Sequence, residues 1–208
     1  MAKTYNDIYM EAKGRFKAAG IGEYSLEARL LLAHLADKTP AEFLRDLRLY
    51  VSEEYAEKSG EMIKRRSDGE PIAYLTGYWV FYGLPLKITN DVLIPRTDTE
   101  IVVDTAIRLG GLRSGGEKKA LRILDLCCGS GCIGLALAKN IPEARLTLTD
   151  NSKPAVKLSG SNAVLNKLAS RVSCLCCDVF DTPPAILGTF DLIVSNPPYI
   201  KTDELESL

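Results

Sequence analysis

The fold is decided by the stretch Leu121-Arg122-Ile123-Leu124-Asp125-Leu126-Cys127-Cys128-Gly129-Ser130-Gly131-Cys132-Ile133-Gly134, where an apolar run enters a glycine turn and a second apolar segment. Further predicted strands cover 145–149, 172–177 and 191–195, and predicted helices cover 132–140 and 153–168. Strands that alternate with helices favour right-handed crossovers and a parallel sheet. The sequence therefore predicts an α/β fold.

The first third of the chain has a different pattern, with apolar residues at helical spacing between residues 4 and 68. It predicts four helices: one ending at Gly20, one capped by Ser25, one opened by the capping box Thr39-Pro40-Ala41-Glu42, and one from Ser52 to about Asp68. We interpret residues 1–70 as a small helical recognition domain.

A connecting region separates the two patterns. Residues 71–77 are predicted to be a connector, and 78–82 and 84–88 two strands of a hairpin around Gly83, so that 71–91 forms a linker before a domain over 92–208. Thr97-Asp98-Thr99-Glu100 has the pattern of a capping box that opens a helix to about Leu109. Gly110–Lys119 is predicted to be a flexible loop.

Composition limits the classes of function. The chain has 208 residues, 46% of them hydrophobic and 25% charged, and a net charge of −1, which predicts a globular protein without a broad basic surface for nucleic acid. No apolar run approaches the roughly 20 residues that span a bilayer, and the first residues lack the apolar core of a secretory signal. We expect a cytoplasmic protein that binds neither membranes nor, directly, nucleic acid.

The six cysteines form two groups of three, at the ends of predicted strands: Cys127, Cys128, Cys132, Cys174, Cys176 and Cys177. Their spacing differs from the paired C-x-x-C pattern of zinc sites. Free cysteines often pack as small hydrophobic residues. We therefore predict reduced cysteines and no metal, with a metal site as the alternative.

The glycines after the first strand fit G-x-G-x-x-G, a pattern found where dinucleotides bind. A dinucleotide would place its pyrophosphate on the helix N-terminus. Asp125 just before the glycines would repel that anion but suits the ammonium and sulfonium of S-adenosylmethionine. The alternatives are that the glycines only make a tight turn, and that the Asp125 carboxylate is bonded to nearby backbone N–H groups.

Two more acidic residues follow predicted strands. Asp150 can accept hydrogen bonds from both ribose hydroxyls, although it could instead cap the next turn. Asp178 is placed to meet the adenine amino group, with Val179 as an apolar wall, although Asp178 could also cap a turn. These positions predict the remainder of a cofactor site.

The last predicted strand ends in Asn196-Pro197-Pro198-Tyr199. The Asn196 side-chain oxygen and the Pro197 carbonyl could both accept hydrogen bonds from an NH₂ group and orient its lone pair for methylation. Pro198 stiffens the turn, and Tyr199 could stack on a planar group. The alternative is an ordinary Asn-Pro turn after a strand.

With these residues in place, the chain resembles the release-factor glutamine N5-methyltransferases, the HemK/PrmC family. The matching blocks are Gly69–Gly77, Val92–Glu100, Asp125–Gly134 and Phe190–Ile200. The resemblance implies a Rossmann-like class I methyltransferase sheet and methylation of the glutamine in the Gly-Gly-Gln motif of peptide chain release factors. It also implies that Cys127, Cys128, Gly129, Ser130, Gly131 and Asp150 hold S-adenosylmethionine, and that Asn196 to Tyr199 hold the glutamine. Asn196 is placed to contact the cofactor as well.

The sequence departs from the family pattern in three places. Cys127-Cys128 stands where Gly-Thr is usual, and Val179 stands at a position that is aromatic in some members. Family members continue into a seven-stranded sheet, whereas this sequence stops at Leu208, so we expect a truncated member with an incomplete sheet. The alternatives are an amino-group methyltransferase acting on nucleic acid and a non-catalytic binding fragment.

Overall fold

In a computed structural model of the chain, residues 2–113 and 120–197 are described. The chain divides after Gly77 into two compact units. The domain limits read from the sequence, 1–70, 71–91 and 92–208, stay predictions. None of the helices in the described part is both long and apolar enough to cross a membrane.

The first unit consists of five helices: α1 (Tyr5–Ala18), α2 (Tyr24–Leu35), α3 (Pro40–Arg45), α4 (Glu53–Ser67) and α5 (Ile72–Thr76). Its core is made of apolar side chains that are almost fully buried, among them Phe16, Leu31, Leu32, Phe43 and Ile63. The four predicted helices are confirmed. Removing such side chains from water is the main force that holds these short helices together.

Details of the helix ends differ in part from the predictions. The predicted capping box of α3 is confirmed, because Thr39 Oγ1 accepts from the Glu42 N–H and Glu42 accepts from the Thr39 N–H. The prediction that Ser25 caps α2 was wrong, since Glu23 occupies that position and the Ser25 hydroxyl lies 3.1 Å from Tyr9 Oη. The predicted connector contains the short helix α5.

The second unit begins with the predicted hairpin, which is confirmed as β1 (Tyr78–Phe81) paired antiparallel with β2 (Leu84–Lys87). A 3₁₀ turn at Thr97–Thr99 leads into α6 (Glu100–Arg113). The Glu100 N–H is bonded to the backbone carbonyls of Thr97 and Asp98, and no described side chain caps this turn, so the capping box predicted at Thr97 was wrong. The helix also passes through Gly110 to Arg113, where a loop was expected, and residues 114–119 of that loop lie outside the described residues.

Strands and helices alternate through β3 (Arg122–Leu126), α7 (Cys132–Asn140), β4 (Arg145–Asp150), α8 (Lys153–Leu165) and β5 (Val172–Cys176). A 3₁₀ turn at Ala185–Leu187 then leads to β6 (Leu192–Ser195). The four strands form one parallel sheet in the order β5-β4-β3-β6. Helix α7 is buried over most of its length, as a crossover helix between sheet strands should be. The predicted α/β, Rossmann-like fold with a helical N-terminal part is confirmed.

Candidate functional site

The carboxyl ends of β3, β4 and β6 meet at one edge of the sheet. Leu126 is in register with Thr149 of β4 and with Ser195 of β6. The residues that follow these positions, Asp150 and Asn196, therefore lie on either side of the glycine loop. This edge is where ligands bind in open α/β sheets.

The glycine loop has an unusual backbone. Cys127, Gly129 and Gly131 all have positive φ angles, of 56°, 52° and 81°. A Cβ atom at Gly131 would lie 3.0 Å from Ser159 Cβ, so the loop packs directly on α8. A Cβ atom at Gly129 would meet no described atom within 4 Å, so among the described residues open space lies beside it. The loop therefore packs against α8 at Gly131 and borders open space at Gly129.

Asp150 ties the start of this loop to β4. Its Oδ2 accepts from the Gly129 N–H at 2.9 Å, and its Oδ1 accepts from the Ser152 N–H at 3.0 Å. Each carboxylate oxygen can accept a further hydrogen bond. Asp150 thus supports the turn before α8, the role kept as the alternative, and retains acceptor capacity for a ligand.

Asp125 is 1% exposed and lies beneath the loop. Its Oδ2 accepts from the Gly134 N–H at 2.8 Å, whereas its Oδ1 has no hydrogen-bond partner among the described residues. Burial raises the pKa of this carboxyl group to about 7, and the nearby charge of Asp150 adds to the shift. The geometry matches the alternative in which Asp125 is bonded to the backbone, and its contact with a cofactor stays a prediction.

The other predicted cofactor residues differ in exposure. Cys128 and Ser130 are buried and face the interior, while Cys127 is half-buried. Burial raises the pKa of the Cys127 thiol, and the charge of Asp150 adds to the effect. Neither effect favours a reactive thiolate.

Asp178 and Val179 follow β5. The Asp178 Oδ1 accepts from the Phe180 N–H at 3.0 Å, which is the turn kept as the alternative. Val179 is 49% exposed, so an apolar surface is available there. Their contact with an adenine ring stays a prediction.

The side chain of Asn196 is hydrogen-bonded to Thr99, a residue for which the sequence predicted no part in the site. Asn196 Nδ2 donates to Thr99 Oγ1 at 3.1 Å, and Thr99 is 8% exposed. Pro197 is exposed, and Pro198 and Tyr199 lie outside the described residues. The sequence signal at Thr99 was interpreted only as part of a capping box.

The charge at this edge of the sheet is negative. Asp150 and Asp178 flank the loop, Asp125 with its raised pKa lies beneath it, and in the described chain no basic side chain is hydrogen-bonded to any of the three. A pyrophosphate would be repelled, whereas a ligand carrying an ammonium and a sulfonium would be attracted. The open space at Gly129 and the spare acceptors of Asp150 fit such a ligand.

All six cysteines are free. In the stretches 2–113 and 120–197, no three His, Cys, Asp or Glu side chains are grouped as metal ligands.

Comparisons with known proteins cover both units. A protein-family model described as "PrmC N-terminal domain" matches residues 7–77, and one described as "Methyltransferase small domain" matches residues 109–207. The chain is 37% identical over 206 residues to the release factor glutamine methyltransferase of Agrobacterium fabrum, covering 99% of this chain and 70% of that protein. It is 35% identical over 202 residues to that of Clostridium botulinum, covering 97% and 70%.

Among solved structures, the N-terminal domain of human METTL16 in complex with SAH aligns with 82% of this chain and 66% of that chain. The TM-score is 0.49 and the sequence identity is 18%. At that level the likeness adds nothing to what the curated relatives indicate.

Proposed function

Because the chain belongs to the family of release factor glutamine methyltransferases, we propose that it methylates a glutamine side chain of a peptide chain release factor, using S-adenosylmethionine. The methylated atom is the N5 nitrogen of the glutamine in the Gly-Gly-Gln motif. S-adenosylmethionine would supply an electrophilic methyl group: the N–C bond would form as the S–CH₃ bond breaks, S-adenosylhomocysteine would leave, and the nitrogen would lose one proton.

The observation that carries this proposal is the register of β3 and β6. Leu126 pairs with Ser195, so the glycine loop and Asn196 continue from neighbouring strands at the same edge. The Ser195 hydroxyl also donates to the Leu126 carbonyl at 3.0 Å, which reinforces the pairing at its last position. A methyl donor on the loop and an amide at Asn196 would therefore be adjacent.

Asn196 would act on the acceptor amide. An amide nitrogen is a weak nucleophile because its lone pair is delocalised, and it must be oriented before it can attack. The Asn196 Oδ1 and the Pro197 carbonyl would each accept a hydrogen bond from one N–H group of the amide. Both hydrogen bonds would strengthen as positive charge develops on the nitrogen. Positioning of this kind can supply much of the rate.

The cofactor would be held by the loop and the acidic residues beside it. Asp150 would accept from the ribose hydroxyls with its free lone pairs. Asp178 and Val179 would lie near the adenine, and Cys127 to Gly131 would line the space beside Gly129. The negative charges of Asp150 and Asp178 would favour the cationic donor.

The helical first unit would recognise the release factor. The chain carries one net negative charge in 208 residues, so we do not expect it to bind nucleic acid directly. Release factors act in translation termination, so the enzyme would work in the cytoplasm.

The test is a methyl-transfer assay with labelled S-adenosylmethionine and, in parallel, a release factor, the same factor with its Gly-Gly-Gln glutamine replaced by alanine, and nucleic acid. We expect label only in the unaltered release factor. Label in nucleic acid, or equal label in the alanine variant, would overturn the proposal.

A further inference from the structure

Asn162 on α8 is a fully buried polar side chain with three hydrogen bonds. Its Oδ1 accepts from the Lys87 N–H at 2.7 Å, and its Nδ2 donates to the Lys87 carbonyl at 3.0 Å. The same Nδ2 donates to the Ser130 carbonyl at 2.9 Å. Both N–H groups of the amide therefore donate hydrogen bonds, one to the hairpin and one to the glycine loop.

The pairing with Lys87 resembles that of a neighbouring strand. One side of β2 pairs with β1, and Asn162 satisfies both backbone groups of Lys87. One turn further along α8, the Asn166 Nδ2 donates to the Pro85 carbonyl at 2.9 Å. Asn162 and Asn166 therefore both bind α8 to β2. Among their described side-chain hydrogen bonds, only the one from Asn162 Nδ2 to the Ser130 carbonyl reaches the glycine loop.

The bond to Ser130 acts where the loop backbone is most easily rearranged. Gly131 has a φ angle of 81°, and glycine adopts positive and negative φ with similar ease. The Ser130 carbonyl belongs to the peptide group that joins Ser130 to Gly131, so a donor on that oxygen opposes a flip of this peptide. Asp150 binds the loop at the Gly129 N–H, and Asn162 binds it at the next residue, through the Ser130 carbonyl.

We propose that Asn162 is a positioning residue of the cofactor loop, whose side chain couples the backbone of β2 to the Ser130 carbonyl and keeps the loop in the conformation that binds S-adenosylmethionine. This inference rests on the proposed function for the identity of the ligand. It assigns the hairpin a part in cofactor binding, through Lys87, although the hairpin lies outside the βαβ units of the sheet.

The test compares two identical substitutions, Asn162→Asp and Asn166→Asp, by calorimetric titration of the chain with S-adenosylmethionine. Both remove the N–H donors to β2, but only the first removes the donor to Ser130. We expect the dissociation constant to rise about tenfold for Asn162→Asp and to stay within roughly twofold for Asn166→Asp, the tenfold value corresponding to one lost buried hydrogen bond. Thermal unfolding of each variant separates loss of stability from loss of affinity.

The outcomes are distinguishable. If the unaltered chain does not bind S-adenosylmethionine, the proposed function fails. If it binds and a folded Asn162→Asp variant binds equally well, or if both variants weaken binding equally, the role assigned to Asn162 is wrong.

A measurement on the unaltered chain covers the case in which Asn162→Asp does not fold. The Lys87 N–H donates to Asn162, so stabilising the loop should slow amide hydrogen exchange at Lys87. We expect added S-adenosylmethionine to slow exchange at both Gly131 and Lys87, measured by NMR. Slower exchange at Gly131 with an unchanged rate at Lys87 would overturn the coupling.

Discussion

Thr99 and Asn196 are 97 positions apart in the chain and are joined by a hydrogen bond of 3.1 Å from Asn196 Nδ2 to Thr99 Oγ1. The two ends of an asparagine amide differ, since one donates and the other accepts. With the NH₂ end directed at Thr99, the Oδ1 end is the one that would accept from the substrate amide in the proposed reaction. A threonine in the 3₁₀ turn before α6 thereby sets the direction of the proposed catalytic acceptor.

Thr99→Val should lower kcat for methyl transfer about tenfold, because the loss of one hydrogen bond of about 1.4 kcal/mol lets the Asn196 amide rotate. The dissociation constant for S-adenosylmethionine should stay the same, since Thr99 does not hold the glycine loop. Steady-state kinetics and a binding titration measure the two effects.

Thr99→Ser is the matched control, because it keeps the hydroxyl and removes only a methyl group. It should retain most of the activity of the unaltered chain. A Thr99→Val variant with normal kcat would show that Thr99 does not orient Asn196.

Gly134→Ala should destabilise the second unit by about 1–3 kcal/mol. A Cβ atom there would overlap the Leu148 side chain and lie 3.0 Å from Asp125 Oδ2. Gly160→Ala in α8 is the control, because its Cβ would meet only Cys174 Sγ at 3.8 Å and the change should stabilise the helix by about 0.5–1 kcal/mol. Denaturant unfolding measures both, and equal effects of the two changes would contradict this packing.

Asp125 should make stability depend on pH. Its pKa is raised from 3.8 to about 7, chiefly by burial, so the folded chain binds a proton that the unfolded chain releases. The stabilisation is complete below the ordinary pKa of 3.8 and is lost as the pH rises through about 7.

Asp125→Asn isolates this effect, because the amide oxygen can still accept from the Gly134 N–H but does not titrate. The free energy of unfolding of the unaltered chain, minus that of the variant, should fall as the pH rises from about 4 to about 7. A difference that stays constant or increases over this range would contradict the pKa shift.

The order of helices and strands could be predicted from the sequence because it depends on local periodicity. The hairpin, the parallel strands and the capping box at Thr39 all follow from patterns within a few residues. The end of α6 could not be predicted in this way. Gly110 continues the helix, and a Cβ there would lie 3.2 Å from Leu121 Cδ1, so this glycine serves close packing rather than termination.

The candidate site was only partly predictable for the same reason. The positions of Asp150 and Asn196 follow from the ends of strands, which periodicity locates. Thr99 and Asn162 could not be identified, because their partners are distant in the chain. Asn196 lies 97 positions from Thr99. Lys87 and Ser130 lie 75 and 32 positions from Asn162. Such pairs become visible only when the fold brings them together.

The most direct test of the central claim is to compare cofactor binding with methyl transfer in Asn196→Ala, with the methylated residue identified by mass spectrometry. The claim is that the glycine loop binds S-adenosylmethionine while Asn196 presents a glutamine amide. We predict that Asn196→Ala still binds S-adenosylmethionine and no longer methylates the Gly-Gly-Gln glutamine of a release factor. Methylation of that glutamine by the variant at the unaltered rate would contradict the claim.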